Sequence, residues 1–317
     1  MTTAPPAAAT REAYPHALLQ LVEEGVDVVA IDADLSVSTM GYQFGEKHPD
    51  RWMTVGVAEA NMVGIAAGLA ACGKTAFIAS FASFLPGRCF DQLRTSVSQP
   101  KGGLSVKAVA SHGGITVGED GASAQAIEDL ALATSLISFD VVVPADFEEA
   151  KQAIVAVGKT PRPAYVRTGR PKVPALYGPD YRFEIGRASL LRPGNDVTLI
   201  ACGILVDAAL KAAEVLAGEG VDARVLNMAT IKPIDREAVV SAGRETGAIV
   251  TAEEHQTHGG LGTAVARVLA AELPTPIEFV GVDRYGTSGK WDELLRYFEL
   301  TPERLVGAAK AAIARKR

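Results

Sequence analysis

Cysteine is scarce in this chain: Cys72, Cys89 and Cys202 lie far apart and form neither a disulfide framework nor a CxxC pair suited to metal or redox work. That usage fits a reducing cytoplasm. No apolar run approaches the roughly 20 residues needed to cross a bilayer, so no membrane partner is expected. The first residues, MTTAPPAAAT, carry neither a basic nor an apolar leader region, and residues 1–9 read as a loose tail. Excess positive charge is also missing. The net charge is −6 and the visible basic cluster is the terminal Arg315-Lys316-Arg317, which argues against a nucleic-acid partner, whose phosphates require a cationic face. No internal repeat is present.

What is there is the composition of a globular protein, 48% hydrophobic and 21% charged over 317 residues. That length suits two α/β domains of about 100 to 200 residues each. From Asp27 onward, short β-branched runs alternate with longer stretches of helical period: DVVAID, ANMVGIAAGLAA, TAFIAS, FDQLRTSV, VKAVAS (106–111), a helix near 123–136, VVVP (141–144), a helix near 147–157 and AYVRT (164–168). The strands are continuously apolar, as a parallel sheet covered on both faces requires. The Pro- and Gly-rich stretch TGRPKVPALYGPD (168–180) has neither period and reads as a linker. The boundary is set at 161–190, dividing residues 10–160 from 191–317. Beyond it the alternation restarts with VTLIACG (197–203), ARVLNM (223–228), AIVTAEE (248–254) and IEFVGV (277–282), each followed by a helical stretch. The expected fold class is therefore α/β, with two doubly wound, mainly parallel-sheet domains, the second smaller.

Ligands in open parallel sheets sit beyond the carboxyl ends of the strands, so chemistry is sought there. In GVAEANMVGIAAGLA (56–70), Glu59 opens an otherwise apolar helix of small residues. By pattern alone it is either an acid favoured by the helix N-terminus or a functional carboxylate. TAFIASFASFLPGR places Phe81 and Phe84 three apart beyond a strand end with Arg88 behind them. Two rings beside a half-buried acid form a slot for a flat heterocycle, although each ring alone reads as core. SHGGITVGEDGASAQAIEDLA (111–131) is a glycine-rich loop carrying His112, Glu119 and Asp120, whose backbone can approach a ligand closely. His255 and His258 form an HxxH, but a third ligand is missing and Gly-Gly-Leu-Gly follows, so no metal site is assigned to this chain.

Taken in order, TREAYPHAL (10–18), DADLSVST (32–39), GVAEANMVG (56–64), SFASFLPGRCFDQ (80–92), SHGGITVGEDG (111–121), VRTGRP (166–171), TIKPID (230–235), EEHQTHGGLG (253–262) and SGKWDELL (288–295) resemble the pyrimidine-binding and C-terminal domains of transketolase. The resemblance spans nearly the whole chain and implies thiamine diphosphate as cofactor. It implies that Glu59 hydrogen-bonds the pyrimidine ring nitrogen, so that a proton shared there lets the exocyclic amine deprotonate the thiazolium carbon. Phe81 and Phe84 match the aromatic pocket for the pyrimidine, and Asp34 matches an acid near the thiazolium ring. Arg11, Ser38, His112 and Arg170 match the positions that hold a sugar phosphate, a set suited to a tetrahedral dianion, and Asp120 matches a contact to a substrate hydroxyl.

Two positions depart from the family. Ala124 stands where yeast-like and bacterial members carry a histidine, and Gly87 where they carry a tyrosine. Both put the preferred ketose in doubt. The residues contain no GDG…N arrangement, the family's diphosphate and magnesium motif. The resemblance therefore implies a separate N-terminal subunit that holds the Mg2+, in an assembly of two copies of each chain. The implied activity is transfer of a two-carbon ketol unit from a ketose phosphate to an aldose phosphate, in the pentose phosphate route or a specialised catabolic one. Two alternatives are the β-subunit of a 2-oxoacid dehydrogenase decarboxylase component and a non-catalytic orphan half. A fragment of 1-deoxyxylulose-5-phosphate synthase fits less well.

Overall fold

The computed structural model describes residues 7–316. The first domain contains strands β1 (Ala8–Ala9), β2 (Val28–Asp32), β3 (Trp52–Thr54), β4 (Thr75–Phe81), β5 (Val106–Ser111), β6 (Asp140–Val142), β7 (Ala164–Arg167) and β8 (Lys172–Val173). The second contributes β9 (Ser189–Arg192), β10 (Val197–Ala201), β11 (Ala223–Asn227), β12 (Thr230–Lys232), β13 (Ile249–Gln256) and β14 (Ile277–Val282). The two main sheets run β12-β6-β7-β5-β4-β2-β3 and β14-β13-β10-β11-β9, parallel except for β12 against β6 and β9 against β11. The expected α/β class with two mainly parallel sheets is the one observed.

The sequence explains the burial. VVAID in β2, VKAVAS in β5 and VTLIA in β10 are buried at every position, because helices cover both faces of each sheet. On one face of the first sheet, Leu18 and Leu21 of the helix Ala13–Glu23 pack with Ala153 and Ile154 of the helix Phe147–Gly158. The opposite face is shared: Met62, Leu130 and Val143 lie in one cluster with Ile200, Leu226 and Leu261 of the second domain. The outer face of the second sheet is closed by the helices Leu205–Gly218 and Pro302–Ala314. Helix starts are marked by side chains. Asp146 accepts from Glu149 N at 2.8 Å and Asp235 from Ala238 N at 3.0 Å, satisfying otherwise orphaned amides.

Several local expectations differ from what forms. Of the expected tail, residues 1–6 lie outside the described residues, whereas Ala8 and Ala9 pair antiparallel with Val173 and Lys172. That pairing also gives structure to the stretch read as a linker, whose later residue Ser189 begins β9. Strand β12, in the segment TIKPID where no strand is expected, leaves its own domain and extends the first sheet beside β6. The helix expected near 123–136 is confined to Asp129–Ser135. Residues ahead of it stay in a loop because Gly113 and Gly114 bridge to Ala126.

Candidate active site

The strand ends of the first sheet carry the polar residues that the sequence singled out. β2 ends at Asp32, whose carboxylate accepts from Leu35 N at 2.6 Å and Thr39 Oγ1 at 3.2 Å. This ties down the turn that holds Asp34 in the left-handed region (φ 65) and the short helix bearing Ser38. Burial pushes the Asp32 carboxyl up, against the hydrogen bonds that favour its charged form.

Glu59 is the first residue of the helix Glu59–Ala71 and is only 6% exposed. Its Oε1 accepts from Arg88 Nη1 at 2.9 Å, and no hydrogen bond from a described residue reaches Oε2. The Arg88 guanidinium lies 3.8 Å from the centroid of the Phe84 ring, a cation–π contact. Phe84 is stacked with Phe81 at 5.7 Å and 17°, and Phe81 is stacked in turn with His112 at 4.0 Å and 24°. Acid, guanidinium, two phenyl rings and an imidazole thus form a continuous wall.

His112 follows β5 with φ 59, a conformation rare for a side-chain-bearing residue and stabilised by its surroundings. Its Nε2 lies 3.2 Å from Arg11 Nη1 and its Nδ1 2.8 Å from Ser111 Oγ. Arginine only donates, so Nε2 is the acceptor and the ring proton sits on Nδ1, facing the Ser111 hydroxyl. Burial, followed by the charges of Arg11 and Arg170, pulls the imidazole down to about 3. Arg11 Nη1 also donates to the Ser38 carbonyl at 2.9 Å, while its Nε is buried without a partner among the described residues. Arg11 is itself lowered from its usual value by burial and then by Arg170. Two crowded cations with an unspent donor make a corner that favours an anion.

Arg170 donates to the Val117 carbonyl and lies 3.5 Å from Asp120 Oδ2 and 3.7 Å from Glu119 Oε2. The structure therefore brings Arg11, Ser38 and His112 into contact and joins Arg170 to Asp120. Glu59, Phe81 and Phe84 fall along one wall. Asp34 is exposed at the end of β2, and no hydrogen bond ties it to the others. Ala124 is buried at 8%, and a side chain at Gly87 would meet nothing within 4 Å. His255 is fully buried, with Nδ1 2.6 Å from the Gln256 carbonyl and Nε2 accepting from Ala131 N at 3.3 Å, so both nitrogens serve backbone groups. His258 is exposed. Sequence reasoning noted Arg88 only as a neighbour and missed Ser111, whose hydroxyl orients His112. It also missed the buried set in which Arg167 Nε lies 3.1 Å from Asp129 Oδ2 and Tyr165 OH donates to the same oxygen at 2.7 Å.

A mainly parallel α/β sheet whose strand ends and adjoining helix start carry a buried carboxylate, paired rings and a cationic corner defines an α/β protein with a candidate ligand site at the carboxyl edge of its first sheet. Comparison with known proteins gives the class a family. Residues 6–175 match the family model "Transketolase, pyrimidine binding domain" and residues 186–305 match "Transketolase, C-terminal domain". The chain is 42% identical over 297 residues to a "Putative transketolase C-terminal section" of Methanocaldococcus jannaschii, covering 92% of each. It is 41% identical to a 6-deoxy-6-sulfo-D-fructose transketolase subunit of a Clostridium species, covering 96% of this chain and 95% of that one. A solved structure titled "Split gene transketolase, inactive beta4 tetramer" superposes with a TM-score of 0.90 at 45% identity, covering 98% of this chain and 100% of that one. The chain belongs to the transketolase family, whose members use thiamine diphosphate.

Proposed function

We propose that this chain is the cofactor-activating subunit of a two-chain transketolase, which moves a two-carbon ketol unit from a ketose phosphate to an aldose phosphate. The observation that carries the reading is Glu59: a buried acid with one oxygen uncommitted, standing beside Phe81 and Phe84. A carboxylate and two part-exposed rings fit an aminopyrimidine, which offers a ring nitrogen to a proton and a flat face to an aromatic. When bound, thiamine diphosphate supplies the carbon nucleophile that carries the two-carbon unit. Glu59 would hold a proton at Oε2 against the pyrimidine nitrogen, with Arg88 on Oε1 fixing the orientation of the carboxyl group. Phe81 and Phe84 would position the pyrimidine and shield it from water, and Asp34 would face the cationic ring of the cofactor.

Arg11, Ser38, His112 and Arg170 would form the site for the phosphate of the sugar, with Arg11 and Arg170 as its two cations and neutral His112, whose Nε2 accepts from Arg11, holding that guanidinium in place rather than adding a third charge. Asp120 would take a sugar hydroxyl. This cationic corner favours sugar phosphates over simple 2-oxoacids, which carry no phosphate dianion. The diphosphate and its Mg2+ would be gripped by a separate N-terminal subunit, in an assembly of two copies of each chain.

The test is reconstitution with a chain bearing the diphosphate-binding residues. Ketol transfer from xylulose 5-phosphate to an aldose phosphate should require both chains. Glu59→Gln should lower kcat by at least about 100-fold, the range typical of a general acid or base, while leaving the fold intact. Turnover by this chain alone, unchanged turnover in Glu59→Gln, or a preference for pyruvate would each defeat the assignment.

A further inference from the structure

The loop carrying Glu119 and Asp120 is closed at its base within the first domain. Gly114 N donates to the Ala126 carbonyl at 2.9 Å and Ala126 N returns a bond to Gly114 at 3.1 Å. Its outer part is held by the second domain. Thr116 N donates to Glu254 Oε1 at 2.7 Å, and Glu254 lies in β13. Gln125 Nε2 donates to the Ile115 carbonyl and to the Thr287 carbonyl, both at 2.9 Å. Ser288 Oγ donates to the Glu119 carbonyl at 2.7 Å. Thr287 and Ser288 follow β14, so the second domain reaches the loop from two neighbouring strand ends.

Close approach makes the grip possible. Gly114 has φ 77, and a Cβ there would fall 2.1 Å from Glu254 Cδ; a Cβ at Gly286 would fall 1.5 Å from Gln125 Oε1. The two segments interlock only because both positions lack a side chain. Glu254 is 8% exposed. An acid so enclosed is tolerated when donors and cations face it, and Thr116 N and Arg167 do so. Other polar contacts between the domains hold regular elements, as Asn227 Nδ2 does on Glu149 and Ala131 N on His255, whereas the bonds to Thr116, Glu119 and Gln125 hold a loop that has no regular structure of its own.

We propose that the second domain acts as a positioning clamp on this loop, so that affinity for the sugar phosphate is set in part by Glu254, Thr287 and Ser288, outside the pyrimidine-binding domain. This rests on the roles proposed above for His112 and Asp120. Gln125 is the positioning residue on the loop side and Ser288 on the other. Neither touches substrate; each acts by holding the loop backbone where Asp120 and Arg170 face one another.

Two measurements on Gln125→Met and Ser288→Ala test the clamp. Gln125→Met keeps the volume and removes both donors, and Ser288→Ala is an exposed change that leaves the core untouched. In the full chain, amides between Gly114 and Gly121 should exchange at least about fivefold faster in both variants, as expected when one such bond is lost. In the two-chain assembly, the KM for xylulose 5-phosphate should rise about tenfold in Gln125→Met, the loss equivalent to about one hydrogen bond, with kcat within about twofold. Ser288→Thr, which keeps the hydroxyl, should retain the wild-type exchange rates that Ser288→Ala loses. Merely impaired folding would lower kcat at unchanged KM. Unchanged exchange, or faster exchange at unchanged KM, overturns the clamp. An assembly with no ketol transfer would defeat the proposed function instead, and the exchange comparison would still stand.

Discussion

Arg88 and Glu59 form one polar unit above an aromatic ring: Nη1 donates to Oε1 at 2.9 Å while the guanidinium carbon sits 3.8 Å from the Phe84 centroid. The acid is 6% exposed and the arginine side chain 50%, so water screens one partner while protein encloses the other. The same contact aims the carboxyl group and covers a ring face.

That asymmetry predicts a small cost for removing the cation. Arg88→Met keeps an apolar stem against Phe84 and deletes the charge. Because the arginine is half exposed, the loss should be at most about 1 kcal/mol, or a fall in Tm of about 2 to 4 °C. Calorimetry of the chain at neutral pH checks this, and a drop beyond about 10 °C would mean that the buried acid depends on Arg88 for folding.

Arg11 bridges two groups at once, His112 Nε2 and the Ser38 carbonyl. A lysine keeps the charge but lacks the planar fork. Arg11→Lys should therefore raise the KM for a sugar phosphate by roughly 10-fold to 100-fold, since charged hydrogen bonds contribute about 1.5 to 3 kcal/mol each. Steady-state kinetics with phosphorylated and dephosphorylated ketose separates this effect from a general loss, because the unphosphorylated sugar should be affected little.

His112 predicts a pH dependence of stability. Burial, then Arg11 and Arg170, holds its folded value at about 3, against an ordinary 6.5. The unfolded chain gains this proton as pH drops through 6.5, whereas the folded chain resists it until near 3. The stabilising contribution is thus fully present above 6.5 and drains away as pH falls towards 3. His112→Gln should flatten the acid limb by up to about 1.4 kcal/mol per pH unit between about pH 6 and pH 4. His255, which burial holds at about 4, keeps part of the slope. Denaturant titrations at several pH values provide the check, and equal slopes for both proteins would refute a neutral His112.

Much of the architecture is legible in local pattern. The runs VKAVAS and IEFVGV form strands over their whole length, the first buried at every position inside its sheet and the second at a sheet edge where Val280 and Val282 are buried. The residues at the strand ends were legible by type and spacing: Glu59 at a helix start, Phe81 and Phe84 three apart, His112 before glycines. What escaped depends on remote chain. The stretch 123–128 has helical period but is drawn into the Gly113–Ala126 bridge, and Thr230–Lys232 finds its strand partner in the other domain. Ala8 and Ala9 carry no strand signal and pair because Lys172 and Val173 pass alongside.

The sequence by itself determined the class of fold and the inventory of chemical groups, since period and residue identity are local properties of the chain. Only the tertiary structure decided how those groups are paired. Arg88 lies on Glu59 rather than in solvent, His112 stacks on Phe81 with its proton towards Ser111, and Glu254 reaches Thr116 across 138 residues. Such pairings follow from how the two sheets pack around a shared core, and no short stretch of sequence encodes that arrangement.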